Sequence, residues 1–191
     1  MGLMSLEHGA RAHRADFALY GCAVLLMGGW LAASTPATQQ LAVAATGLLG
    51  LAGWTLAEYL LHRFVLHGPQ PFRGWHQAHH RRPQALIGTP TLASAAMFAL
   101  GVFLPVLLLA DRWRAGAFTM GMVAGYLVYG LAHHATHHGR SAAQAGWWRG
   151  GFDRRRRMHA LHHRSSGVPC CFGVSSGFWD RVFGTLPSRS V

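Results

Sequence analysis

Ala117-Phe-Thr-Met-Gly-Met-Val-Ala-Gly-Tyr-Leu-Val-Tyr-Gly-Leu-Ala132 carries no charge over 16 residues and runs directly into His133-His134-Ala-Thr-His137-His138. An apolar run of this length approaches the roughly 17–25 residues that a helix needs to cross a bilayer. Three more such runs lie upstream: Phe17 to Ala33 (17 residues), Leu41 to Leu61 (21 residues, one charge at Glu58) and Thr91 to Ala110 (20 residues). Ser34-Thr35-Pro36 ends the first, because proline cannot continue a helix interior. Asp111-Arg112-Trp113-Arg114 separates the third from the fourth, with a tryptophan suited to the membrane interface. A soluble core is the competing explanation, but four runs of 16–21 residues in a chain of 191 exceed what such a core uses.

Composition agrees. The chain is 51% apolar and only 12% charged, against about 25% charged in soluble domains. There is no lysine, so all 17 basic residues are arginine, and the net charge is +11. A charge this high would suit a nucleic-acid binder, but the positions of the arginines match the positive-inside rule instead. With the N-terminus in the cytoplasm, two hairpins place residues 62–90 and 133–191 on the cytoplasmic side. Only Arg112 and Arg114 of the 17 then lie outside. The same topology puts every histidine cluster on one side. The three cysteines, Cys22, Cys170 and Cys171, form no metal or disulfide pattern. No signal-peptide pattern precedes Phe17.

Twelve of the 14 histidines fall between residues 62 and 163, in four clusters: His62/His67, His76/His79/His80, His133/His134/His137/His138 and His159/His162/His163. Neutral imidazole is the commonest protein metal ligand. Residues three and four apart share a helix face, so each His-x-x-His-His triplet should point together. His62 and His67, five apart, should diverge toward two different ions. In the third cluster His133/His137 and His134/His138 are both four apart, so spacing alone leaves both pairs open. Glu58, four residues before His62 and costly at that depth unless paired, is expected to accept the free N–H of a ligand imidazole. His8 and His13 read as ordinary surface or satisfied side chains. Ten imidazoles exceed one ion's needs, so two ions are expected. Only Glu58 and Asp153 lie near the clusters, which argues against a carboxylate-bridged bundle site. Nitrogen ligation suits iron, copper, nickel or zinc. Iron follows if the reaction is oxygen chemistry on an unactivated C–H bond.

These motifs resemble the fatty acid hydroxylase/sterol desaturase superfamily: Glu58-Tyr-Leu-Leu-His62-Arg-Phe-Val-Leu-His67, His76-x-x-His79-His80, Tyr129-x-x-x-His133-x-x-x-His137-His138 and His159-x-x-His162-His163. The closing segment, Phe172-Gly-Val-Ser-Ser-Gly-Phe-Trp179-Asp180-Arg-Val-Phe183-Gly184-Thr185, is similar as well. The resemblance implies an all-α, integral-membrane four-helix bundle forming one domain over residues 1–191, with a cytosolic helical cap carrying a histidine-rich dimetal site. It implies a membrane-bound di-iron oxygenase that hydroxylates a long-chain fatty acyl or related lipid. The implied metal ligands are His62, His67, His76, His79, His80, His133, His137, His159, His162 and His163, with Glu58, Tyr129, His134 and His138 around them. The implied cofactor is two iron ions (Fe2+/Fe3+), with zinc as a substitute in purified protein.

No haem, dinucleotide or iron–sulfur motif is present, so electrons should come from a separate protein of the ferredoxin or cytochrome b5 type. The expected partners are that donor and a bilayer lipid, with no nucleic acid. The expected location is a bacterial inner membrane, crossed several times, with both termini cytoplasmic. The rivals are a carotenoid ring hydroxylase on the same scaffold, a lipid desaturase and a non-enzymatic metal transporter. The transporter would want polar groups through the spans, and only Glu58 qualifies. Arg154-Arg155-Arg156-Arg157 reads first as a solvated positive-inside run and second as a contact for lipid phosphate. Trp147-Trp148 reads as an interface anchor, and the Phe172–Thr185 segment as packing over the metal layer.

Overall fold

The computed structural model describes residues 6–139, 149–164 and 170–187, without the side chains of residues 149, 150 and 152. Trp147 and Trp148 therefore lie outside the described residues. Among the described residues the chain is helical, with a single isolated bridge between Glu7 and Ile87 in place of any strand. The helices are α1 (Ala10–Ser34), α2 (Gln40–Leu60), α3 (Phe72–Arg81), α4 (Thr91–Phe98), α5 (Leu104–Leu109), α6 (Arg112–His138), α7 (Arg149–Arg164) and α8 (Phe178–Val182). A π-helical turn, Leu61–Leu66, extends α2, and another, Ala99–Phe103, joins α4 to α5.

Four helical stretches are long and apolar enough to cross a membrane: Ala10–Ser34, Ala37–Leu66, Thr91–Leu109 and Arg112–His138. All four expected runs are present, and three of them extend beyond their apolar limits. α1 starts seven residues before Phe17, and α6 carries its helix through the third histidine cluster. Charge and imidazole stop an apolar run without stopping a helix, because backbone bonding does not depend on hydropathy. Leu25, Leu26, Leu41, Leu108 and Leu109 are each at least 74% exposed on these helices. Such faces suit lipid rather than water.

The chain divides into two compact units, Met1–Trp54 with Ala85–Leu127 and Thr55–Gln84 with Val128–Val191. In the first, α2 and α6 approach closely through glycine. A Cβ on Gly121 would stand 2.1 Å from the carbonyl oxygen of Gly47, and one on Gly50 would stand 2.1 Å from that of Phe118. Small residues let apolar helices pack backbone to backbone where no hydrophobic driving force operates in lipid. Tyr20, Trp54, Phe98 and Tyr126 form an aromatic cluster with centroids 5.1–6.3 Å apart. The Tyr20 hydroxyl lies 2.6 Å from Ser94 Oγ, and Thr91 Oγ1 donates to Asp16 over 2.7 Å. Asp16 also meets His8 at 2.9 Å, which satisfies that histidine.

The second unit contains the π-turn, α3, the end of α6, α7 and the segment through α8. Trp179 Nε1 donates to Thr55 Oγ1 over 3.0 Å, Phe183 stacks on Tyr59 at 5.2 Å, and the hydroxyls of Tyr59 and Thr185 meet at 3.1 Å. The closing segment thereby packs on the stretch that leads into His62.

Gly121→Ala should destabilise the protein by about 1–3 kcal/mol, the usual cost of overpacking. Gly29→Ala in α1, where an added Cβ meets nothing within 4 Å, should be neutral or slightly stabilising. Thermal unfolding of the two variants in detergent checks this.

Candidate metal centre

Ten imidazoles converge in the second unit as two groups of five: His62, His67, His76, His80 and His162 in the first, and His79, His133, His137, His159 and His163 in the second. Within each group the ligand-type nitrogens all lie within 4.8 Å of one another. These are the ten residues that the motifs single out. His134 and His138 stack on each other at 4.6 Å and belong to neither group. The ring of Tyr129 lies parallel to that of His133 at 5.8 Å.

The division between groups differs from the spacing argument in two ways. His62 and His67 fall in one group, with centroids 5.3 Å apart, instead of serving two. The cause is the π-turn. His67 N–H bonds to His62 C=O over 3.2 Å, and a helix with i to i+5 bonds brings residues five apart onto one face. The triplets, in contrast, are split. His76 and His80 of α3 enter the first group and His79 the second; His159 and His163 of α7 enter the second and His162 the first. On an α-helix, positions three and four residues on lie about 100° apart around the axis, on opposite flanks of the starting residue. Each triplet thus straddles the boundary between the groups, where His80 and His163 stack with centroids 4.1 Å apart.

Hydrogen-bond geometry fixes two of the rings. His62 Nδ1 lies 2.5 Å from Phe172 O, and His162 Nδ1 lies 2.7 Å from Cys170 O. A carbonyl only accepts, so each Nδ1 carries the proton and each Nε2 keeps its lone pair toward the centre of its group. That is the usual outer arrangement for a ligand histidine. Across both groups, Nε2 atoms approach in pairs at 2.8–3.1 Å: His62–His76, His67–His162, His80–His76, His133–His79, His137–His159 and His163–His159. Two nitrogens bound at right angles to one ion at about 2.0–2.1 Å would stand about 2.9 Å apart. The donor set thus fits a cation in each group.

Electrostatics point the same way. Burial, with the neighbouring His162, pushes His67 down to about 4. Burial first, then His163, holds His80 at about 3, and burial with His137 holds His79 at about 3 and His163 at about 4. His76, His159 and His162 are also lowered, chiefly by burial. At neutral pH these rings are uncharged and able to ligate.

Glu58 corrects an expectation. Its carboxylate accepts from no imidazole. It takes the N–H groups of Val174 (2.5 Å) and Ser175 (2.8 Å) and the Ser175 hydroxyl. A second carboxylate, Asp180, lies in the segment whose sequence suggests packing over the metal layer. It is 1% exposed and accepts from Phe172 N–H (2.8 Å), Gly173 N–H (2.8 Å) and Thr185 Oγ1 (2.7 Å). A lone acid inside an aromatic tail was the available signal. The segment does pack on the site as expected, with the Phe172 ring 5.6–5.7 Å from His62, His67 and His162.

Four helices long and apolar enough to cross a membrane, with two adjoining all-imidazole groups that could each hold a metal ion, define the class of a membrane protein with a histidine-rich metal-binding centre. The profile of the fatty acid hydroxylase family matches residues 47–185, and the chain belongs to that family. It is 33% identical to the dihydroceramide fatty acyl 2-hydroxylase FAH2 of Arabidopsis thaliana over 81% of this chain and 67% of that one. It is 33% identical to the ceramide very long chain fatty acid hydroxylase SCS7 of Saccharomyces cerevisiae, over 72% of this chain and 36% of that one. Identity to the human fatty acid 2-hydroxylase is 30%, over 73% and 38%. The chain thus spans two-thirds of the plant enzyme's length and well under half of the yeast and human ones. The solved structure of full-length Scs7p, with only its hydroxylase domain visible, superposes with a TM-score of 0.74 at 22% identity, over 99% of this chain and 70% of that one. The fold is shared.

Two measurements check the centre. Purified protein supplied with a first-row divalent ion should bind two ions per chain, by elemental analysis. In the metal-free protein, stability should fall as the pH drops from about 6.5 toward about 4. In that window the unfolded chain takes up protons that the buried rings refuse, and the melting temperature should follow.

Proposed function

We propose that this chain is a membrane di-iron oxygenase that hydroxylates the acyl chain of a lipid. The observation that carries the reading is the pair of all-imidazole groups in a chain of this family. The ten histidines named above are the proposed ligands, five to each ion. A bound iron pair would supply the O2 chemistry that an unactivated C–H bond requires. The overall change is R–H plus O2, two electrons and two protons giving R–OH and water. The two electrons come from a separate donor protein of the ferredoxin or cytochrome b5 type.

The chain's own residues bind and orient. The neutral imidazoles act as ligands, not as proton carriers, since burial keeps them from protonating near neutral pH. The carbonyls of Cys170 and Phe172 hold two of the rings in one tautomer. The Phe172 ring lies against three imidazoles of the first group and limits water there. A long-chain fatty acyl lipid is the proposed substrate, because the similar plant, yeast and human proteins are named for fatty acyl, ceramide or fatty acid hydroxylation. The proposed location is a bacterial inner membrane with both termini and the imidazole groups on the cytoplasmic side; the positive-inside distribution of the arginines supports that orientation.

The test is comparative lipidomics of cells with and without the protein. A lipid class should gain one oxygen atom per acyl chain only when the protein is present, and His76→Ala should abolish the gain to below about 1% of wild type, as loss of a ligand predicts. Oxygen appearing on a carotenoid ring instead, or product unchanged in His76→Ala, would contradict the proposal.

A further inference from the structure

The two imidazole groups differ in how their rings are held. In the first, His62 and His162 each give an Nδ1–H to the backbone of one short stretch, residues 170–172. In the second, among the described residues, the buried Nδ1 atoms of His79, His159 and His163 meet no acceptor. The stretch that serves the first group is itself unusually well held. Phe172 and Gly173 give their N–H groups to Asp180, and Val174 and Ser175 give theirs to Glu58, so four consecutive amides end on two buried carboxylates. The Ser175 hydroxyl adds a further bond to Glu58, and Thr185 adds one to Asp180. Cys171, between the two carbonyls that reach the rings, has a φ of 59°, the left-handed region that L-residues avoid unless their surroundings impose it. Its N–H is fixed by Thr185 O at 3.0 Å. A Cβ on Gly173 would stand 2.0 Å from Ser176 O, so this turn also admits no bulkier residue there.

We propose that residues 170–175, clamped by Asp180 and Glu58, form a template that positions His62 and His162, and that the two carboxylates are positioning residues for the ion of the first group alone. The inference rests on the metal-centre reading above and adds an asymmetry to it. Four backbone N–H bonds to two buried carboxyl groups hold the loop, the loop's carbonyls set the tautomer and tilt of two rings, and those rings set the affinity of one of the two ions. Partners bonded directly to a ligand ring typically change metal affinity by about 10–100-fold, and the carboxylates, one bond further out, act up to that limit through the loop.

Zinc titration of the purified full chain in detergent, against a chromophoric chelator, tests this. Wild type should show two tight ions. Asp180→Asn, whose amide cannot accept both N–H bonds, should weaken one ion measurably, by at most about 10–100-fold, and leave the other unchanged. Paired backgrounds identify which. With the second group disabled by His159→Ala, adding Asp180→Asn should weaken the ion that remains. With the first group disabled by His76→Ala, it should change nothing. Ser175→Ala, which removes one bond to Glu58 and nothing from the fold's core, should weaken the same ion several-fold, and it decides the matter if Asp180→Asn loses its helical circular dichroism. Equal weakening of both ions, or of neither, overturns the proposal. A wild-type chain that binds no zinc overturns the metal-centre reading instead, so the two failures are distinct.

Discussion

Ten uncharged imidazoles sit within two pockets and face one another with nitrogen lone pairs. That arrangement is the constraint on which the rest of the structure depends. Buried lone pairs repel unless a proton or a cation lies between them, and burial holds the rings it affects outside the spans well below their usual range, so protons are disfavoured. Among the described residues no carboxylate belongs to either group. A cation in each pocket would relieve the repulsion and use the facing lone pairs. The helices then need to do little more than deliver rings to the right places.

They deliver them by two different spacings. α6 supplies His133 and His137 at the ordinary i, i+4 spacing, and the π-turn after α2 supplies His62 and His67 at i, i+5. α3 and α7 each supply an i, i+4 pair to one pocket and the intervening ring to the other. The result is an exchange: each triplet helix gives two ligands to its own pocket and one to its neighbour's. The two groups thus share helices while keeping separate ring sets, and the His80–His163 stack marks where they meet.

Much of this was legible in the sequence. The four apolar runs announced the spans, and the clustering of imidazoles announced the ten rings, because both signals lie in side-chain chemistry. The choice of His133 and His137 over His134 and His138 rests on the resemblance, through the Tyr129-x-x-x-His133 motif, and the grouping contains that pair. The apportioning of rings was not legible. A π-turn leaves no hydropathy signature, so the five-residue gap between His62 and His67 read as divergence. The role of the 170–175 stretch was hidden for a different reason: what reaches the rings is backbone carbonyl, which every residue carries. Glu58 was correctly seen as needing partners, but amides 116 and 117 residues away in sequence supply them. The role of Asp180 is masked in the sequence because its neighbours are aromatic and suggest packing alone.

The most direct test of the account is X-ray absorption at the iron edge on protein loaded with two irons per chain. Two all-imidazole pockets predict a first shell dominated by nitrogen, with the outer-shell scattering that rigid imidazole rings produce. A first shell dominated by sulfur or by carboxylate oxygen, or a chain that saturates at one iron, would contradict it.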